Sequence, residues 1–224
     1  MLAVDLLGSG KNPPWPDDAR FDFTMDVDAV REVVEQAGEP VHLVGHSYGG
    51  LLALSVGRVV PPRVRTVTVY DPVAFGVLHD PADAPGLADL AKAEQNPVFL
   101  DDAKGGSAEW FESFVDYWNG PGSFRALPKA SQEGFVRVGR KVYYEVRSLL
   151  SDRTPASAYR ALTMPVAIVG GERSPVAAQR VRAILAAAIP ESELVTIAGA
   201  GHMGPLTHAT EFHRAVARTL ARAA

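Results

Sequence analysis

The chain has 224 residues, 47% of them hydrophobic, and a formal net charge of −4. That length suits one α/β domain with a helical insertion, and the mild acidity points away from nucleic acid or an anionic membrane as partner. The lack of cysteine excludes disulfides, thiolate metal sites and a cysteine nucleophile. No apolar run reaches the ~18 residues of a spanning helix, and with no charged leader in view the expected location is the cytoplasm.

Taken in order, residues 2–7 are apolar and read as a short strand ending near Asp5. Residues 8–14 form a loop whose Gly-Lys lacks the spacing of a phosphate-binding loop. Residues 24–37 show helical periodicity: Val27, Val30, Val33 and Val34 share a face, Asp26 and Asp28 sit in the first turn where the helix dipole favours them, and Gly38 is the expected cap. Residues 40–44 are apolar and β-branched enough for an interior strand. They run into Gly45-His46-Ser47-Tyr48-Gly49, and a helix follows to Val60, stopped by Pro61-Pro62. Residues 64–70 form the next strand, which delivers Asp71-Pro72 at its carboxyl end, where open α/β sheets place functional groups.

From residue 73 to about 163 the texture changes to proline, glycine, aromatics and short helical patterns at 88–95, 108–118, 131–150 and 156–162. This stretch reads as a helical insertion over one end of the sheet. Trp110, Phe111, Phe114, Tyr117 and Trp118 fall on helical spacing, most of them as its core and a minority as pocket lining. Residues 165–170 resume the sheet, 176–188 form a crossover helix, 194–197 the last strand, 199–205 a glycine-rich loop with His202, and 210–221 the closing helix. Alternation of this kind implies a parallel sheet flanked by helices.

The pattern around Ser47 carries the chemistry. G-x-S-x-G is a weak signal alone and a strong one between a strand and a helix. The turn is so tight that side chains at positions 45 and 49 are expected to collide with backbone, and Ser47 is driven into a strained conformation with its hydroxyl exposed. The Tyr48 N–H, at the helix start, is placed to donate to an oxyanion. A serine hydroxyl needs a neighbouring base, and that base an orienting carboxylate. Of six histidines, His202 alone sits in a glycine-flanked loop after a terminal strand. His46 is expected to point away from the site. His208 and His213 are spaced five apart, which does not stack two metal ligands on one helix face.

Gly45-His46-Ser47-Tyr48-Gly49-Gly50, the Asp5-to-Gly10 loop and Gly199-Ala200-Gly201-His202-Met203-Gly204-Pro205 together resemble the α/β-hydrolase superfamily, over essentially the whole chain apart from the insertion. The resemblance implies a hydrolase core in residues 1–73 and 164–224, a helical cap in 74–163, Ser47 as nucleophile, His202 as base, and no cofactor. Many members carry the acid in a G-x-x-D after the penultimate strand. Here that slot reads Gly171-Glu172-Arg173-Ser174. Some relatives, several haloalkane dehalogenases among them, place the acid after the strand that follows the elbow helix, which is Asp71 in this chain. Asp71 is the expected acid and Glu172 the alternative. The family also has a further strand and a His-Gly loop before the first strand seen here, the source of a second oxyanion donor, so the chain is read as N-terminally truncated, with an exposed sheet edge or gap where that strand would lie.

The expected activity is therefore hydrolysis of a carboxylic ester or related small acyl substrate through an acyl-enzyme. The alternative is a non-catalytic module that binds a small apolar ligand, or an inactive fragment. A dehalogenase or epoxide hydrolase would need a carboxylate where Ser47 stands. No pattern in the chain fixes an oligomeric state.

Overall fold

The computed structural model describes residues 1–17, 19–80 and 82–223. In chain order it contains α1 (Phe23–Gln36), β1 (Val41–His46), α2 (Tyr48–Val59), β2 (Val64–Tyr70), α3 (Ala84–Glu94), α4 (Ala108–Asn119), α5 (Lys129–Arg137), α6 (Gly139–Ser151), β3 (Val166–Gly171), α7 (Val176–Ala188), β4 (Ser192–Ile197), α8 (Gly204–Thr207) and α9 (Ala209–Ala221). Short 3-10 turns fill Pro61–Arg63, Phe75–Leu78 and Ala156–Ala161.

The four strands form one sheet in the order β1-β2-β3-β4, each parallel to the next. Side chains alternate across a strand, and the two faces fill accordingly. Val67, Val69, Val166 and Ile168 pack into the larger core with α1, α2 and α7. Tyr70, Ala167 and Val169 face the other way, onto Phe212 and Ala215 of α9. Helices on both faces of a parallel sheet leave one place for chemistry, the carboxyl ends of the strands.

The segment between β2 and β3 has a core of its own. Trp110, Phe111 and Val115 of α4 meet Phe99, Phe124, Tyr143 and Val146. Ser107 caps α4 by accepting the Trp110 N–H at 3.2 Å. The rest of the aromatic stripe, Phe114, Tyr117 and Trp118, lines a cavity beside Ser47.

Several expectations are corrected. Residues 2–6 have no regular structure, and Leu2 and Val4 are exposed. Such a run is no strand without a neighbour to pair with. The exposed sheet edge, by contrast, is as expected: among the described residues β1 pairs with β2 alone and its other edge is open, and Val44 of β1 is 52% exposed. Helix α1 ends at Gln36, Ala37 after it is extended, and Gly38 does not take a left-handed cap. The helix expected over 131–150 is broken at Val138, because Gly139 meets the backbone of Gly106 so closely that no side chain fits between them. The stretch expected as a helix over 156–162 is a 3-10 turn.

Asp26 does not serve the helix dipole in solvent. It is fully buried, where it accepts the Leu7 N–H at 3.0 Å, the Tyr48 hydroxyl at 2.9 Å and the Lys141 ammonium at 2.6 Å.

Candidate active site

Ser47 stands between β1 and α2 with φ 54 and ψ −118. Asp71, one residue past β2, has φ 40. Non-glycine residues held this way cost ~1–3 kcal/mol each, and here the sheet itself holds them. The Ser47 N–H donates to the Tyr70 carbonyl at 2.9 Å, and the Asp71 N–H to the Val169 carbonyl at 2.9 Å, so the ladders run on past the strand ends. At Gly45 a methyl group would strike the Gly49 carbonyl, and at Gly50 it would stand 3.1 Å from Pro72. Gly49 differs from expectation: a side chain there meets nothing within 4 Å. The tightness lies at positions 45 and 50.

Ser47, His202 and Asp71, three residues far apart in the chain, meet at one point. His202 Nε2 lies 3.0 Å from Ser47 Oγ, and His202 Nδ1 lies 3.4 Å from Asp71 Oδ2. With Nδ1–H turned to the carboxylate, Nε2 offers its lone pair to the serine hydroxyl. Asp71 is fully buried and His202 is 4% exposed. The Tyr48 and Gly49 N–H groups open α2 beside Ser47, and donors at a helix start favour negative charge.

Asp71 has two further partners. Ser174 donates to Oδ2 at 2.5 Å. Arg182 Nε stands 3.1 Å from Oδ1, an ion pair whose angle falls short of a hydrogen bond, while its Nη2 donates to the Gly171 carbonyl at 3.0 Å. Burial pulls the Arg182 guanidinium below its ordinary value, and Asp71 opposes that shift. Ser174 fills the slot where a G-x-x-D would carry its acid. Glu172 is elsewhere: its Oε2 accepts the Gly199 N–H at 2.8 Å, anchoring the start of the histidine loop.

That loop is held at further points. The Tyr70 hydroxyl donates to the Gly201 carbonyl at 2.7 Å, and the Arg173 N–H donates to Ala200 at 2.8 Å. His46, expected to point away, donates from Nε2 to the His202 carbonyl at 2.8 Å. Burial, and after it the neighbouring His202, pushes His46 down to about 4, so it stays neutral and keeps that donor role. Trp118 stacks on the His202 ring with centroids 3.9 Å apart and planes 22° apart. Sequence reasoning missed His46, Trp118, Ser174 and Arg182. One signal for Ser174 was available: a serine in the usual acid slot leaves room for a carboxylate arriving from the adjacent strand.

Trp118 and Tyr117 border two spaces. One is an apolar cavity of about 60 Å³ beside Ser47, lined also by Tyr48, Val73, Phe75, Phe114, Glu145 and Leu149. The other is an open cleft of about 710 Å³ on the far side of His202, with Lys92, Arg173, Met203 and His208 on its walls. Among the described residues no group of three or more His, Cys, Asp or Glu side chains is arranged to hold a metal ion, and no helix is long and apolar enough to cross a membrane.

Comparison with known proteins gives concordant results. The 2-hydroxymuconate semialdehyde hydrolase of Pseudomonas putida is 27% identical over 234 aligned positions, covering 100% of this chain and 77% of that protein. Lipase LipV of Mycobacterium tuberculosis is 36% identical over 76 residues, 32% of this chain and 27% of the lipase, so the chain matches only a minor part of that relative. Among solved structures, a hydrolase from Pseudomonas aeruginosa superposes with TM-score 0.69 at 20% identity, covering 96% of this chain and 77% of that one. A thermophilic esterase from Thermogutta terrifontis gives 0.65 at 20% identity, covering 98% and 78%. At such identities the structures speak for the fold alone. The sequence model described as "Alpha/beta hydrolase family" matches residues 1–215, and with the parallel sheet and the strand–serine–helix turn in place, the chain belongs to the alpha/beta hydrolase family.

Proposed function

We propose that the protein is a serine hydrolase that cleaves a carboxylic ester or related small acyl substrate through an acyl-enzyme. The observation that carries this reading is the relay of Ser47, His202 and Asp71, at 3.0 and 3.4 Å, on a turn that opens helix α2. Ser47 Oγ attacks the carbonyl carbon while His202 Nε2 takes the hydroxyl proton. Buried Asp71 orients the imidazole and stabilises its positive charge. The carbonyl oxygen, now negative, is met by the Tyr48 N–H. His202 returns the proton to the departing alkoxide as the ester C–O bond breaks. Water then repeats the sequence on the acyl-enzyme, and the acid leaves. Residues 74–163 act as a cap over the 1–73 and 164–224 core, with Phe114, Tyr117, Trp118 and Leu149 shaping the space where the substrate lies. Lipase, esterase and semialdehyde hydrolase among the names of similar proteins support hydrolysis as the reaction type.

The test is turnover of 4-nitrophenyl butanoate by the wild-type chain beside Ser47→Ala and His202→Ala. Turnover lost in both variants, with both folded by circular dichroism, is the expected result. Ester cleavage that survives in folded Ser47→Ala would overturn the reading.

A further inference from the structure

The cavity beside Ser47 is apolar except at one place. With a volume of about 60 Å³, and ~10–15 Å³ enough for one water, it has room for roughly four to six water-sized groups, about the size of a short acyl chain. The phenols on its wall are turned away from it. Tyr48 donates to Asp26 at 2.9 Å, and Tyr117 donates to Asp89 at 3.2 Å. Among the described lining residues, Glu145 is the one acidic or basic side chain.

Glu145 comes from α6 with its side chain 12% exposed. Its Oε1 pairs with the Lys141 ammonium, which also bonds Asp26 Oδ2 at 2.6 Å. Lys141 is otherwise wrapped by aromatic faces, its Nζ lying 4.4 Å from the Phe21 ring centre and 5.4 Å from that of Tyr48. Two buried carboxylates thus share one cation. The second oxygen of Glu145 accepts no hydrogen bond among the described residues. Burial raises Glu145 from its ordinary value while the Lys141 ammonium opposes the shift, so a second cation arriving at its free oxygen favours the ionised form further.

We propose that Glu145 sets the substrate class of this cavity: it takes an acyl chain that ends in a cationic or hydrogen-bond-donating group and refuses one that ends in a carboxylate. The inference rests on the Ser47 hydrolase reading and adds the substrate to it. A charged chain end of either sign loses its water on entering the apolar walls. The signs differ only in what they meet inside, and the free oxygen of Glu145 attracts the cation and repels the anion.

The experiment compares kcat/KM, by methanol release at pH 7, for methyl 5-aminopentanoate, methyl pentanoate and monomethyl glutarate. In the wild type the amino ester should exceed the glutarate ester by at least ~100-fold. In Glu145→Gln, which keeps an oxygen for Lys141, the gap should close to within ~10-fold. A wild-type ratio near one overturns the proposal, whether or not the variant folds. So does an unchanged ratio in a folded Glu145→Gln. Calorimetric binding of pentylammonium against pentanoate reads the same selectivity without turnover. If Ser47 proves inert, a preference for the ammonium still supports Glu145 as the selector, and no preference overturns it.

Discussion

Replacing Asp71 with Asn changes one atom and separates two roles of the same side chain. The first is electrostatic support of His202. An amide in place of the carboxylate cannot stabilise the imidazolium and lets the ring take the wrong tautomer, a change worth up to ~10⁴ in rate in triads of this type. The second is charge balance. Arg182, 3% exposed and 3.1 Å from Asp71, would be left as a buried cation with only the Gly171 carbonyl beside it. Removing one partner of a buried pair costs about 3–5 kcal/mol, which for a chain of this size lowers Tm by roughly 6–20 °C. The assay pairs the rate of covalent labelling by a fluorophosphonate with thermal unfolding, for Asp71→Asn, Glu172→Gln and the double variant Asp71→Asn/Arg182→Met. Asp71→Asn should lose both rate and stability. The double variant should regain much of the stability and none of the rate. Glu172→Gln should retain the rate within ~10-fold, since its carboxylate holds the Gly199 N–H and not the imidazole. The reasoning is refuted if folded Asp71→Asn labels at near wild-type rate while Glu172→Gln does not.

Two further predictions concern the surroundings of His202. His46 has a folded value of about 4 against 6.5 for the free side chain, so between those values only the unfolded chain takes up its proton. Its contribution to stability is full above pH ~6.5 and falls away as the pH drops towards ~4, by about 3 kcal/mol at most. Denaturant unfolding from pH 7 to 4 should therefore show a shallower loss in His46→Gln, whose amide keeps a donor for the His202 carbonyl; an unchanged slope would count against the buried neutral imidazole. Trp118→Ala should cost ~3–5 kcal/mol and join the two spaces that Trp118 separates, shifting the acyl preference towards longer chains. A chain-length profile that stays where it was, measured with 4-nitrophenyl esters, would show that Trp118 is not the wall between them.

What could be read from the sequence was local. Strand β2 begins and ends where alternating β-branched residues and the Pro61-Pro62 stop predict it, at Val64 and Tyr70. The glycine–serine–glycine turn and the glycine-flanked His202 are legible because their neighbours dictate backbone geometry. Residues 2–7 were misread because an apolar run says nothing about whether a partner strand stands beside it. The break between α5 and α6 depends on Gly106 approaching Gly139 from elsewhere in the chain. In the Asp26–Lys141–Glu145 cluster, Lys141 bonds Asp26 from 115 positions away, beyond the reach of any helical or strand period. Trp118 was correctly placed on a helix, but its stacking on His202 is a product of how α4 packs over the sheet.

The central claim is that Ser47 is a nucleophile activated by His202. The most direct measurement is the intact mass of the purified chain after exposure to a fluorophosphonate, with Ser47→Ala alongside. A single adduct on the wild type that is absent from the variant is the predicted result. A wild-type chain that is folded by circular dichroism yet takes no adduct, or an adduct that persists in Ser47→Ala, would contradict it.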